Sequence, residues 1–497
     1  MGQAHPSTPD ERAQWAAILL AHHGDYGIVT QLSRQHHVSR PTLYAWRDQA
    51  SQALLAHFSP SLEPQRPTPS ARHILTLWVN HASERGIQAA LRELLRHGIS
   101  LQTITAVLHQ AQQRAISSMH SHVPASTRAL ALDEIYANNR RGAYLNVVDV
   151  HSGAVWASEG PLPVDSDSWT LVLWSLQERG LRWQRVVMDD GAPMHAACRE
   201  ATPHVLVQLD QWHLWHTCAA VQARLERVLA KLEQQTSVVE RQAARIASGQ
   251  RARGRTAKTD TAAHATDLAN AQRVAEGVCY LTQELRRLLA VVVVERDKLL
   301  SEVQRGDELD AVLDLLDEVA ETSQPSQQAE VMRLARRIRA QLPKLLAFAP
   351  HVAQVQRDLA SVLREEQQAL VAWAYLRREV LEWTDDELLA ALPAEWRGAA
   401  RVLLATWADA VRVSSAVERW HSIMRPHLAL RRALSGGMLA LLAVWHNHRV
   451  FSRGVNKGLS PLHLSGMTDA PTDWLIALGY PPDEAVTPHA APLALAA

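Results

Sequence analysis

The chain has 497 residues, 47% of them apolar, which is material for about three domains with sizeable cores. Lys and Arg number 51 against 51 Asp and Glu, so a global cationic field for nucleic acid is excluded and only local basic patches remain. The three cysteines, Cys198, Cys218 and Cys279, have no metal-like spacing and point to a reducing compartment without disulfides. No apolar run approaches the roughly 18 residues needed to span a bilayer, and the polar start MGQAHPSTPDERAQW lacks an apolar signal region. The expected location is therefore cytoplasmic, with no membrane partner.

Residues 10–24 predict an amphipathic helix carrying Trp15, Ile18 and Leu19, followed by a turn at Gly24-Asp25 and a second helix through Ile28, Val29 and Leu32. HHVSRPTLYAWRDQA then predicts a third helix, with Ser39 as N-cap, Pro41 in the first turn and Leu43 and Trp46 facing inward. The pattern over 1–58 is that of a helix-turn-helix DNA-binding domain, whose second helix enters the major groove. Arg40, Thr42, Tyr44, Arg47 and Gln49 are its candidate DNA contacts. An ordinary small helical bundle is the alternative.

A Pro-rich linker, SPSLEPQRPTPSA, covers 59–71. Residues 72–120 repeat the design of the first domain, with Gly98 stopping one helix and Ser100 capping the next. Two tandem units would read a longer DNA sequence than one. A dimerisation bundle is the competing interpretation.

From Arg128 the pattern changes. Strand-like runs at 128–135, 142–150 and 154–162 precede a helix with Trp169, Val172, Leu173 and Leu176 on one face, and short β-branched strands at 184–189 and 204–209 flank another helix. The order is βββαβαβ. Two strands end on acids, Asp133 in LALDEI and Asp189-Asp190 in RVVMDDG. Asp also ends strands simply because it favours turns. Acids on two strands in this order instead suit the RNase H-like way of holding Mg²⁺ through carboxylate oxygens.

Residues 217–411 show helical spacing almost throughout and no catalytic signature, so 219–411 is expected as an inserted all-α domain. One loop, SGQRARGRTAKTD at 248–260, offers Arg251, Arg253, Arg255 and Lys258 to a phosphate backbone, or to solvent alone. A last long helical stretch begins at Ser414 or Ser415 and carries Glu418 in its first turn, with Trp420, Ile423 and Met424 on an apolar side. Arg419, His421, Arg425, Arg431 and Arg432 make its other side basic, and HNHRVFSRG adds Asn447, Arg449 and Arg453. A Glu in a first turn is common as favourable dipole chemistry. Residues 456–497 form an uninformative tail.

Taken in order, LDEIYANNRRGAYLNVVDVHSG, VMDDGAPMHAAC, LDQWHLWH and SSAVERWHSIMRP resemble the catalytic blocks of bacterial insertion-sequence DDE transposases, especially the Mutator-like group with a helical insertion. The resemblance covers 128–218 and 412–452. It implies an RNase H-like α/β catalytic domain with a mixed sheet, built from 125–218 and 412–455 and interrupted by the insertion. It further implies a metal-binding catalytic triad of Asp133, Asp190 and Glu418, with Asp210 and His213 as an accessory D-x-x-H motif. Asp189 is the rival for the second acid; Asp190 is preferred because Gly191-Ala192-Pro193 follow it as a strand-to-helix turn.

The expected activity is cleavage and strand transfer at the ends of a mobile DNA element, by phosphoryl transfer with two Mg²⁺ ions for which Mn²⁺ substitutes. Expected partners are double-stranded DNA, both terminal inverted repeats and target, and further copies of the chain in a dimeric or larger synaptic complex. His213 is expected beside Asp210, the pair positioning DNA or the insertion without binding metal. Two other classes remain open, a catalytically silent regulator derived from a transposase and an RNase H-like structure-selective nuclease.

Overall fold

A computed structural model describes residues 8–21, 27–58, 69–121, 123–124, 126–136, 142–249, 261–454 and 456–482. The basic residues Arg251, Arg253, Arg255 and Lys258 lie outside the described residues. The chain divides into two compact units, 1–74 with 84–104, and 75–83 with 105–497.

In the first unit, helices α1 (Pro9–Ala21), α2 (Ile28–His36) and α3 (Arg40–Phe58) close on Leu19, Leu32 and Leu43, with Ile28, Val29, Val38 and Trp46 packed around them. Ser39 opens α3 by accepting a hydrogen bond from the Thr42 amide at 3.2 Å, one of the orphan donors of a first turn. The following helices are α4 (Ala71–Val79), α5 (Glu84–Leu95) and α6 (Leu101–Ser121), of which α4 and α6 straddle the division between units. Ser100 caps α6 through the Thr103 amide at 3.0 Å.

The second unit is built on a mixed five-stranded sheet, order β3-β2-β1-β4-β5, formed by β1 (Ser126–Tyr136), β2 (Ala143–Asp149), β3 (Val155–Leu162), β4 (Arg182–Met188) and β5 (Leu206–Leu209). β1 pairs antiparallel with β2 and parallel with β4, and β4 pairs parallel with β5. Helices α7 (Ser166–Glu178) and α8 (Ala192–Ala201) make the two crossovers that parallel pairing requires. All seven residues of β2 are buried, because both faces of the sheet are covered. One face presents Leu130, Leu132, Leu145 and Val147 to Trp169, Leu173 and Leu176 of α7 and Met194 and Cys198 of α8. Strand alternation sends Asp133 to the opposite face, with Asn146 of β2 and Ser158 of β3 directly across from one another in register.

The chain leaves the sheet after β5 in α9 (Gln211–Ala247), which packs with α10 (Thr261–Leu288), α11 (Glu302–Glu321) and α12 (Pro325–Leu345) around Leu214, Val278, Leu285, Leu313 and Ile338. Between α10 and α11 a short ribbon of β6 (Val294–Glu295) and β7 (Lys298–Leu299) interrupts the helices. Helices α13 (Ala349–Leu359), α14 (Glu365–Arg377), α15 (Asp385–Ala391) and α16 (Arg397–Asp409) close a further core on Phe348, Val371, Leu403 and Trp407. The chain returns to the sheet in α17 (Ser415–Leu430) and α18 (Gly436–His448), which cover the Asp133 face. No described helix is long and apolar enough to cross a membrane. Cys198 and Cys218 are free and buried, and burial pushes both thiols up to about 12, so they act as small apolar side chains.

Candidate active site

Asp133 sits on the central strand, one residue beyond the Leu132–Met188 pair, so the first residue after β4 that stands level with it is Asp189. The sheet thereby sets two acids side by side at the same edge. α17 brings the third, since Glu418 occupies its first turn and the helix crosses β1 and β2. Ligand atoms of Asp133, Glu418 and His421 all lie within 4.8 Å of one another. Asp133 is 9% exposed, and burial together with the charges of Glu134, Asp189 and Glu418 raises its carboxyl from 3.8 to about 8, against one opposing hydrogen bond from the Glu134 amide. Glu134 itself is pushed up to about 7, mainly by burial and then by Asp189.

Of the two adjacent acids, the one whose charge reaches Asp133 is Asp189, whereas sequence favoured Asp190. Asp190 is held elsewhere. It accepts from Gln341 Nε2 at 2.8 Å and Lys344 Nζ at 3.0 Å, both on α12, and lies 2.8 Å from His195 Nε2 on α8. Burial alone would raise Asp190, but those hydrogen bonds outweigh it and hold the carboxyl below its usual range. Asp189 is instead raised, by burial first, with His213 and Arg337 opposing the shift.

The expected pairing of His213 with Asp210 is not what the structure contains. His213 Nδ1 lies 3.2 Å from Asp189 Oδ1. Asp210, 4% exposed, caps α9 by accepting from the Trp212 amide at 2.7 Å, and its second oxygen accepts from the Ser414 amide at 3.0 Å and from the Ser414 hydroxyl. Ser414 therefore spends its hydroxyl on Asp210 rather than on capping α17, where it makes no side-chain cap. Asp210 begins the helical excursion and Ser414 ends it, and the Gln211 amide also donates to the Arg412 carbonyl at 2.9 Å. The two ends of the excursion are clasped at Ser414, four residues before Glu418.

His421, expected among the basic residues of its helix, is 2% exposed and faces the acids. The signal was present in sequence as Glu418-x-x-His421, one turn apart on the same face. Its tautomer follows from its neighbours. Trp420 Nε1 and Ser158 Oγ both donate to Asn146 Oδ1 at 2.8 Å, and an indole N–H can only donate, so that atom is the amide oxygen. Asn146 Nδ2 is then the atom 3.1 Å from His421 Nε2, which must accept. Burial pushes His421 down to about 4, keeping the ring neutral at pH 7, and its single proton sits on Nδ1. That nitrogen lies 3.8 Å from Asp133 Oδ2 and 3.9 Å from Glu418 Oε1. A protonated nitrogen is not a metal donor, so in this arrangement His421 turns an N–H toward the carboxylates from just beyond hydrogen-bond reach. Arg425 Nη2 holds the other Glu418 oxygen at 3.0 Å.

Among the expected DNA contacts, Arg419, Arg425, Arg432, Arg449 and Arg453 are exposed. Arg431 is turned inward, stacked 5.0 Å from the Trp78 ring and 2.9 Å from His427 Nδ1. Asn447 is buried and spans β3, accepting from the Val155 amide at 2.8 Å and donating to its carbonyl at 2.9 Å. In the first unit Arg40 and Tyr44 are exposed, Thr42 is hydrogen-bonded to Ser39, and Arg47 pairs with Asp48 at 2.8 Å and lies 5.0 Å over the Tyr44 ring.

The acid set fits a hard divalent cation. Its donors are carboxylate oxygens without thiolates, and a bound cation would offset the burial, and the lesser repulsion from neighbouring acids, that keep Asp133 protonated near neutrality. No family model and no curated protein sequence matches the chain. Among solved structures, the Drosophila P element transposase strand transfer complex is 12% identical over 72% of this chain and 98% of that one, with a TM-score of 0.30, a likeness too slight to carry a fold or an activity.

Proposed function

We propose that this chain is a DDE-type transposase with an RNase H-like catalytic core, acting on DNA by metal-dependent phosphoryl transfer, and that its acidic triad is Asp133, Asp189 and Glu418. The observation that carries this reading is the meeting of Asp133 from β1 with Glu418 from a helix that returns more than two hundred residues later, with Asp189, one residue past β4, near enough for its charge to act on Asp133. Chance placement does not explain Asp133. A buried carboxyl with three further acids acting on it is costly to keep, and such arrangements concentrate at functional sites.

Asp133 and Glu418 would hold Mg²⁺ with Asp189 as the third acid, and Mn²⁺ would substitute; when bound, the metal supplies charge stabilisation for the attacking and leaving oxygens. His421, fixed by Asn146, keeps its Nδ1–H toward the two carboxylates, and Arg425 restrains Glu418. Asp210 fixes the start of the Glu418 helix through Ser414. In this reading α1 to α3 supply sequence-specific contacts through Arg40, Thr42, Tyr44 and Arg47, and a second copy of the chain completes the paired-end complex.

The test is strand cleavage on a plasmid carrying the DNA that borders this coding sequence, with Mg²⁺ and with chelator. Cleavage that needs Mg²⁺ and disappears in Asp133→Asn and Glu418→Gln, with DNA binding retained, is the expected result. Specific binding without cleavage would make the chain a regulator, and cleavage directed by DNA structure irrespective of end sequence would make it a nuclease.

A further inference from the structure

The helical excursion carries a row of cations of which the two inner ones, Arg337 and Lys344, act on Asp189 and Asp190 and the outer ones touch neither acid. Thr217 Oγ1 of α9 accepts from Arg337 Nη1 of α12 at 3.5 Å, and Arg224 of α9 pairs with Glu330 of α12. Seven residues forward on one helix match seven backward on the other, so α9 and α12 run antiparallel in a single register. Lys344, near the end of α12, bonds Asp190, and His213, near the start of α9, faces Asp189, so the pair starts at the acid cluster and leads away from it.

Along that shared face, helical spacing aligns Arg333, Arg337 and Lys344 on α12 with Thr217, Arg224 and Lys231 on α9, and Arg227 flanks them. The outer part opens into a cleft of ≈ 490 Å³ lined by Arg224, Arg227, Lys231, Gln327 and Glu330 with two apolar residues. Glu330 is the acid on this side and is already bound by Arg224; Glu226 and Glu233 of α9 fall on the far side of the helix. Arg227, Lys231 and Arg333 are exposed. From His213 to Lys231 the row is roughly 27 Å long at about 1.5 Å per residue, the length of about 8 base pairs at about 3.4 Å each. A chain of zero net charge that concentrates cations in one line is complementary to a regular polyanion.

We propose that the α9–α12 face is a phosphate track along which duplex DNA leads away from the acid cluster, an inference that rests on the DNA-directed reading above. The track reads no sequence, since its cations meet only backbone, and it sets the direction in which the helix leaves the site.

The experiment measures binding of a labelled duplex of arbitrary sequence to the full-length chain across a salt series without divalent cation. In Arg227→Ala/Lys231→Ala/Arg333→Ala the slope of log affinity against log salt should be shallower by about 2 to 3, at about 0.9 for each phosphate the protein no longer neutralises. The charge-preserving Arg227→Lys/Arg333→Lys protein should keep the wild-type slope, and single charge reversals, Arg227→Glu or Lys231→Glu, should each weaken binding severalfold at low salt. An unchanged slope in the triple variant, with a wild-type melting curve, overturns the track and leaves the catalytic reading standing. A shallower slope in a chain that never cleaves with Mg²⁺ supports the track and removes the catalytic reading. Absence of any duplex binding by the wild-type chain overturns both.

Discussion

Neutralising Asp133 should stabilise the metal-free protein, and by more as pH rises. In the folded chain burial and the neighbouring acids lift this carboxyl from 3.8 to about 8, so between those values the folded state keeps a proton that the unfolded chain has lost. Stability is then fully present below pH 3.8 and falls as pH climbs toward 8, by about 1.4 kcal/mol per pH unit or roughly 6 kcal/mol across the range. Asp133→Asn keeps the shape and retains an oxygen for the 2.8 Å hydrogen bond from the Glu134 amide, yet has nothing to titrate. The wild-type and Asp133→Asn proteins should be unfolded by urea in chelator at a series of pH values. The variant should gain on wild type by about 4 kcal/mol from about pH 5 to about pH 8, and Mg²⁺ at the upper end should close the gap by stabilising wild type alone. Parallel stability profiles for the two proteins would refute the reasoning, since Asp133 would then carry its charge at no cost to the fold.

Direct comparison should separate the adjacent acids: Asp189→Asn should abolish Mg²⁺-dependent cleavage, while Asp190→Asn should chiefly lose the ties to His195, Gln341 and Lys344 and be less stable at neutral pH than wild type, the deficit shrinking as pH falls below the ordinary carboxylate range. Equal loss of cleavage without loss of stability in Asp190→Asn would restore Asp190 as the second acid. Asp210→Ala removes a helix cap and strands two Ser414 donors in a buried place, which should cost about 3 to 5 kcal/mol in urea unfolding, and Ser414→Ala should slow cleavage more than its small stability loss explains. Wild-type turnover by Ser414→Ala would show that the clasp does not place Glu418. Nitrogen NMR of His421 at neutral pH should show a neutral ring protonated on Nδ1; a proton on Nε2 would reverse the assigned orientation of Asn146.

Local chemistry makes much of this chain legible from its residues alone. Period-two alternation and β-branched runs locate β1 to β5 to within a few residues, and the capping serines Ser39 and Ser100 locate two helix starts, because those signals act between residues close in sequence. Asp133 and Glu418 are visible for the same reason, one ending an alternating strand and one opening a helix. What the tertiary structure decided were choices between chemically equal neighbours. Asp189 and Asp190 look alike in sequence, and only the arrival of Gln341 and Lys344 from α12 engages one and leaves the other level with Asp133. His213 sits one turn from Asp210, yet Ser414, two hundred residues away, claims that carboxylate and leaves His213 to Asp189. His421 and Arg431 belong by type to a solvated basic face, and burial against β1 and β2 or stacking on Trp78 draws them inward. The spacing of a helix or strand sets which residues share a face; which long-range partner occupies that face is a property of packing, and no local pattern encodes it.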